Sequence, residues 1–388
     1  MTEPTEQDAP GEQAERREPG QPAAPAAPTR IEVAGPHGDI LVGDGLVERL
    51  PELLPGLLGD GVEQLLIVHA PPLAEIGDGI RAALAESGAY RRVLLAEIPD
   101  AESAKRIEVA AFLWQILGQA DFTRSDAVLA LGGGATTDLA GWAAASWLRG
   151  VKVVHLPTTV LAMADAAIGG KTGVNTEEGK NLVGAFHPPA GVVCDLGVLA
   201  SLPRNELVAG FAEVVKMGFV TEPEILDLVE ADPERATDPA SPEFRRCLEL
   251  AIAAKARVTG EDLTEQGLRE ILNYGHTLGH AIEHSERYQW RHGAAVSIGM
   301  VFAAELARLS GRLSDEVADR HRAILESLGL PVSYPGGRWP TLLSTMRRDK
   351  KARGAMLRFV VLDDLAKPTI MQAPDESLLF AAYQEVAG

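Results

Sequence analysis

The sequence predicts an α/β parallel-sheet domain followed by a mainly α-helical domain, with a small-molecule site in the cleft between them. Three observations carry this. Between Arg30 and Leu196, short apolar runs alternate with helix-period stretches, the pattern of parallel strands joined by crossover helices. A glycine run, Gly132-Gly133-Gly134, closes one apolar run and opens a helix-compatible stretch. From about residue 203, apolar residues recur at helical spacing.

The elements follow in order. Residues 1–29 are rich in Pro, Ala, Glu and Gln without periodicity, and they read as a disordered tail. Leu65–Val68, Val93–Leu95, Ala127–Leu131 and Val151–Leu156 read as strands, and amphipathic stretches near 73–88 and 102–118 as the helices between the first three. The segment from His155 to Asn181 is dense in Gly, Lys, Asn and Thr and reads as a ligand-binding loop. Pro203–Glu206, 243–259, 268–286 and 294–310 carry helix-period apolar residues. The predicted domains are 30–198 and 199–388.

Composition narrows the function. A hydrophobic share of 46% fits a globular protein with a full core. No apolar run reaches the roughly 18 residues of a membrane span, and the acidic N-terminus lacks the apolar core of a signal peptide. Two cysteines, Cys194 and Cys247, are too few for a disulfide framework, so the expected location is the cytoplasm. A formal net charge of −19 argues against nucleic acid or an anionic membrane as partner. Only nine of the 36 basic residues are Lys, and six of these, Lys171, Lys180, Lys216, Lys255, Lys350 and Lys351, fall in Gly-, His- and Asp-rich segments. A lysine is a compact, tunable point charge, so this bias points to one anionic ligand.

The densest chemistry lies in Asn273-Tyr-Gly-His276-Thr-Leu-Gly-His280, followed by His292-Gly. His276 and His280 are four apart and share a helix face, which makes them a candidate metal-binding pair. Glu213, in Gly210-Phe-Ala-Glu213-Val-Val-Lys216, is the candidate for a further ligand. Two His and one carboxylate would leave a coordination position for substrate.

Gly132-Gly133-Gly134-Ala-Thr-Thr-Asp138 follows a strand and opens a helix, where bare N–H groups and glycine allow a phosphate to approach the backbone. Asp100-Ala-Glu102-Ser-Ala-Lys105 follows another strand, and its acids suit NAD better than NADP. His155-Leu-Pro-Thr158-Thr159 leads to Asp165, Gly169-Gly-Lys171, Asn175 and Gly179-Lys180-Asn181, groups fit for an anionic, hydroxylated ligand.

Taken together, Gly-Gly-Gly-x-x-x-Asp-Leu-Ala-Gly, Pro-Thr-Thr-x-Leu-x-x-x-Asp, Gly-Gly-Lys-Thr-Gly-x-Asn, Gly-Lys-Asn-Leu-x-Gly-Ala-Phe, Ala-Glu-x-x-Lys, Leu-Asn-x-Gly-His-Thr-x-Gly-His-Ala and a late Asp-Lys-Lys occur in one order over residues 30–388. In this the chain resembles the 3-dehydroquinate synthase family of sugar-phosphate cyclases. The resemblance implies a Rossmann-like domain joined to a helical metal-binding domain, a homodimer, NAD and one divalent metal, Zn²⁺ or Co²⁺. It implies Glu213, His276 and His292 as metal ligands, with Asp165, Lys216 and Lys255 near the metal-bound hydroxyls. Lys171, Asn181, Asn273, His280 and one of Lys350 or Lys351 would hold the phosphate end. Arg269 would meet the substrate carboxylate, and Arg149 would reach the neighbouring subunit's site. Asp100, Glu102, Lys105, Gly133, Gly134, Asp138, Thr158, Thr159 and Lys180 match NAD-binding positions, and Lys171 is placed with both sets.

The implied reaction converts 3-deoxy-D-arabino-heptulosonate 7-phosphate to 3-dehydroquinate, a step of the shikimate pathway. A transient NAD oxidation would make a ketone, phosphate would leave by β-elimination, and re-reduction with an intramolecular aldol step would close the ring. Three departures stand out: Thr137, Leu263 and Ala294 occupy positions where the family commonly has Gly, an acid and Glu. The rival readings are a sibling cyclase, acting on sedoheptulose 7-phosphate, glucose 6-phosphate or an amino-substituted substrate, a metal-dependent polyol dehydrogenase, and a non-catalytic scaffold.

Overall fold

The computed structural model describes residues 27–351 and 356–388, with the side chains of residues 349–351 left aside. Most of the expected tail therefore lies outside the described residues; of its last three positions, Thr29 belongs to a strand.

The first half runs β1 Thr29–Ile31, β2 Ile40–Gly43, α1 Leu50–Leu58, β3 Gln64–His69, α2 Ala74–Glu86, β4 Arg92–Glu97, α3 Ile107–Gln119, β5 Ala127–Gly132, α4 Gly134–Ser146, β6 Lys152–Pro157, β7 Lys171–Thr176, β8 Gly179–Phe186 and β9 Gly191–Asp195. One seven-stranded sheet has the order β1-β2-β9-β6-β5-β3-β4. Only β1 pairs antiparallel. Alternating side chains serve opposite faces, as strand geometry requires. Leu66, Val68, Val128 and Ala130 pack with α3 and α4, whereas Leu65, Ile67, Leu129 and Leu131 pack with α1 and α2. Both faces are covered, which is why β3 and β5 read as unbroken apolar runs. The chain goes from β3 out to β4 and then back across β3 to β5. Sheets of this kind bind ligands beyond the strand ends where the winding reverses, and the glycine turn leaves β5 there.

The second half runs α5 Arg204–Val220, α6 Glu224–Ala231, α7 Pro233–Ala236, α8 Pro242–Glu261, α9 His276–Ser285, α10 His292–Leu309, α11 Asp315–Ser327, α12 Trp339–Lys351, β10 Arg358–Asp364, β11 Lys367–Gln372 and α13 Glu376–Val386. Its core is continuous with Ile40, Val42, Val192 and Cys194 of the sheet edge. Among the described residues no helix is long and apolar enough to cross a membrane.

Two expectations change. The Gly- and Lys-rich segment after His155 is not one loop: it holds a π-helical turn at Ala162–Ala166 and the β7–β8 hairpin. The single helix expected over 268–286 is two pieces, a 3₁₀ turn at Leu268–Asn273 and α9, because Gly275 takes the left-handed φ of 77° between them.

Candidate active site

Glu213 lies in α5, where every residue from Ala209 to Val220 is buried. His276 opens α9 and His292 opens α10. Gly293 brings α10 onto α5: a Cβ there would stand 1.7 Å from the Ala209 carbonyl oxygen. Gly275 does the same for the turn into α9, where a Cβ would meet Val296 O and Met300 N at 2.9 Å. This packing sets His292 Nε2 3.3 Å and His276 Nε2 3.4 Å from Glu213 Oε1. One ligand atom from each of the three residues lies within 4.8 Å of the others.

The far nitrogens fix the tautomers. His276 Nδ1 donates to the Tyr274 carbonyl at 3.0 Å, and His292 Nδ1 donates to Glu283 Oε2 at 3.2 Å. Each Nε2 lone pair is thereby aimed at a carboxylate oxygen. Acceptors facing one another repel unless a proton or a cation stands between them. Glu213 Oε2 is buried and receives no well-directed hydrogen bond, although Lys216 Nζ forms an ion pair with it. Two imidazoles and a carboxylate so arranged are a donor set for a zinc-like divalent cation.

The titration behaviour follows. Burial would raise the Glu213 carboxyl, but Lys216 and the two imidazoles outweigh it and hold it well below its ordinary range. Burial lowers His276 to about 3. Burial also works against charging His292, but the Glu213 and Glu283 carboxylates win and raise it to about 10.

Asp165, in the π-helical turn, adjoins this group. It forms an ion pair with Lys255, accepts 2.6 Å from the same ammonium at its backbone oxygen, and stands 3.9 Å from Lys216 Nζ. Burial opposes ionisation of Asp165, yet Lys255 and Lys216 pull it down to about 2. Lys255 falls to about 8, because burial and the neighbouring Lys216 outweigh its attraction to Asp165.

The expected phosphate-end residues divide. Asn273 Nδ2 donates to Glu265 at 2.7 Å, and Lys171 forms an ion pair with the same carboxylate. His280 has its ring 5.3 Å from that of His276 and 6.1 Å from that of His292. The structure groups His280 with Glu283 and His292, not with Glu213, so the pairing inferred from the four-residue spacing is replaced by His276 with His292. Asn181 accepts from Lys105. Lys350 and Lys351 end α12, but their side chains lie outside the described residues. Arg269 is buried and donates through Nη1 to Gly169 O at 2.9 Å and Leu263 O at 2.6 Å. Arg149 is exposed, in a turn where Leu148, Arg149 and Gly150 all have positive φ.

The nucleotide-type residues form a second group. Gly133 caps α4, and Thr158 N donates to Gly132 O at 3.1 Å. A Cβ on Gly134 would touch the Ala166 Cβ at 3.0 Å, so the turn packs on the segment bearing Asp165. Thr159 Oγ1 accepts from Ala162 N at 3.1 Å and starts the π-helical turn. Lys105 bridges Asp138 at 2.5 Å and Asn181, while Asp100 caps its own turn through Ala101 N. Glu102 accepts from Asn175 at 2.6 Å and lies 3.6 Å from Lys180. Lys180 rests 4.0 Å above the Tyr288 ring. The β7–β8 hairpin thus ties the 100–105 segment to the end of α9.

The three departures find local accounts. Thr137 is buried and bonds back to Gly134 O at 3.0 Å. At Leu263 only the backbone is used, and Asp262 supplies the turn's acceptors to Gln266, Gly267 and Arg269. With Ala294 at its position, the carboxylate on His292 comes from Glu283. Sequence reasoning missed Glu283, Glu265 and Tyr274. Glu283 was within reach, since positions 276, 280 and 283 recur at helical spacing.

A glycine turn that opens a helix, beside two imidazoles, a carboxylate and the ammonium groups of Lys216 and Lys255, fits the class of sugar-phosphate cyclases. Residues 95–209 match the family model described as 3-dehydroquinate synthase N-terminal, and residues 210–352 the one described as 3-dehydroquinate synthase C-terminal. The chain is 67% identical over 360 residues to the 3-dehydroquinate synthase of Leifsonia xyli subsp. xyli, an alignment covering 92% of this chain and 98% of that protein. It belongs to the 3-dehydroquinate synthase family and is a carbon–oxygen lyase of that type. Among solved structures, 2-deoxy-scyllo-inosose synthase complexed with carbaglucose-6-phosphate, NAD⁺ and Co²⁺ superposes with a TM-score of 0.82 at 26% identity, over 93% of this chain and 100% of that one. The 2-epi-5-epi-valiolone synthase of Streptomyces hygroscopicus subsp. jinggangensis, with NAD⁺ and Zn²⁺ bound, gives 0.82 at 27% identity, over 92% and 98%.

Proposed function

We propose that this chain converts 3-deoxy-D-arabino-heptulosonate 7-phosphate to 3-dehydroquinate and phosphate, with NAD and one divalent metal, Zn²⁺ or Co²⁺. The observation that carries the metal assignment is the convergence of Glu213, His276 and His292 on one point, with both imidazoles held in the tautomer that offers Nε2. Bound there, the metal would supply Lewis acidity to a hydroxyl, and the nicotinamide a place to lodge a hydride and return it.

The chain's own residues do the rest. The half-buried Asp165 and the buried Lys216 and Lys255 form a charge group beside the ligands and orient the hydroxyls that undergo oxidation. Lys255, with its ammonium brought to about 8, is able to exchange a proton near neutrality. Lys171, Asn273 and His280, with Asn181 and one of Lys350 or Lys351, hold the phosphate and offset the charge of the leaving dianion. Arg269 meets the substrate carboxylate with the donors its backbone bonds leave over. Asp100, Glu102, Lys105, Gly133, Gly134, Asp138, Thr158, Thr159 and Lys180 bind NAD. Domains divide at 198/199. The working form is a cytoplasmic homodimer, with the exposed Arg149 reaching the neighbouring site; the reduced, buried Cys194 and Cys247 suit that compartment.

The test is direct. Protein supplied with catalytic NAD and Co²⁺ should release phosphate from the heptulosonate phosphate and yield 3-dehydroquinate as the carbocycle. Turnover only of an amino-substituted or carboxylate-free sugar phosphate would reassign the chain to a sibling cyclase.

A further inference from the structure

The turn that delivers His276 is anchored from behind. Tyr274 is wholly buried, and its carbonyl accepts from His276 Nδ1 at 3.0 Å. At the other end of the same residue, the hydroxyl lies 2.9 Å from His321 Nε2. His321, in α11, is itself wholly buried, and its Nδ1 donates to Val317 O at 2.7 Å. A carbonyl can only accept, so Nδ1 carries the ring proton, Nε2 is the acceptor, and the Tyr274 hydroxyl is the donor. Burial holds His321 at about 4, which keeps the ring neutral and this polarity fixed. The His321 ring also stacks on Phe219, with centroids 3.7 Å apart and planes 9° apart. Phe219 belongs to α5, the helix that carries Glu213 and Lys216.

We infer that His321 and Tyr274 are positioning residues that set the metal affinity of the Glu213–His276–His292 group by holding the Tyr274 carbonyl, and through it His276 Nε2, in register with α5. The chain of contacts is continuous: α5 to Phe219, Phe219 to the His321 ring, His321 to the Tyr274 hydroxyl, and the Tyr274 carbonyl to His276. Neither residue touches substrate or cation. Their effect is geometric: without the hydroxyl anchor the carbonyl turns more freely, and the imidazole that it orients loses direction.

The inference rests on the metal reading above, and the test separates the two. The full chain is stripped with chelator and titrated with Co²⁺, following the visible absorption of the bound ion, for the parent and for Tyr274→Phe, His321→Leu and His321→Gln. Tyr274→Phe and His321→Leu are expected to bind Co²⁺ about 10- to 100-fold more weakly, with altered band shape. His321→Gln, whose amide oxygen can accept from the Tyr274 hydroxyl, is expected to recover most of the loss. The double variant Tyr274→Phe/His321→Leu should be no weaker than either single one, because both cut one link. If all variants bind Co²⁺ like the parent and only their unfolding midpoints fall, the pair is merely structural and the inference fails. Failure of the parent itself to bind Co²⁺ would overturn the metal reading and this inference together.

Discussion

His292 donates through Nδ1 to Glu283 Oε2 at 3.2 Å, and that bond decides which nitrogen of the ring faces Glu213. Glu283 stands one helical turn beyond His280 on α9, so one short helix carries both a ligand and the orienting group for another. Removing the carboxylate with Glu283→Ala should weaken Co²⁺ binding about 10- to 100-fold. Glu283→Gln, which still accepts through its amide oxygen, should lose less. Equal affinity in parent and Glu283→Ala, measured by equilibrium dialysis, would show that the ring needs no such partner.

Glu265 engages both Asn273 and Lys171, two residues proposed to hold phosphate. A carboxylate there occupies donors that a phosphate would use. Glu265→Gln should therefore tighten competitive inhibition by inorganic phosphate by about tenfold, the order of one charge-assisted hydrogen bond. Unchanged or weaker inhibition would mean that Glu265 organises these donors instead of competing for them.

Arg269 has two duties. Its Nη1 satisfies the carbonyls of Gly169 and Leu263, so Arg269→Ala should cost about 1–3 kcal/mol of stability in urea unfolding. It should also raise KM for a carboxylated substrate more than for one lacking the carboxylate. Lost stability with equal KM changes for both substrates would leave only the structural duty.

The pH response of the fold should come from buried imidazoles. Burial lowers His155 to about 3, below its ordinary 6.5. The unfolded chain takes up that proton first, so this contribution is complete above about pH 6.5 and is lost as pH falls toward 3. The slope is about 1.4 kcal/mol per pH unit for each such group, and His321, held at about 4, acts in the same direction. Urea midpoints between pH 7 and pH 4 should fall less steeply for His155→Phe than for the parent; parallel slopes would remove His155 from the account.

Much of this was legible in the sequence. The strands at β3 to β6 were visible because a doubly covered sheet leaves no polar face, and the Gly132–Gly134 turn because only a close backbone approach calls for such a run there. Glu213 and His276 were candidates on the local pattern, and His292 joined them through the resemblance: a pair four apart shares a helix face, but His276 is turned toward α5 and meets His292, an arrangement set by the contact of Gly293 with Ala209. The hairpin at 171–186 was hidden because its strands are short of alternating apolar residues; its backbone ladder pairs Lys171 with Phe186 through Thr176 with Gly179, and Asn181 N donates to Asn175 Oδ1 across the turn. The break at Gly275 was hidden because the apolar period continues through it. Glu283, Tyr274 and Glu265 act through partners distant in sequence or through backbone atoms, and no local pattern marks such roles.

The most direct test of the central claim is the Co²⁺ stoichiometry and spectrum of the chelator-stripped protein, for the parent and for Glu213→Gln, His276→Ala and His292→Ala. A single tightly held Co²⁺ is expected in the parent, with loss of that ion from each folded variant and loss of phosphate release in step with it. A folded His276→Ala protein that keeps its Co²⁺ and its turnover would contradict the claim.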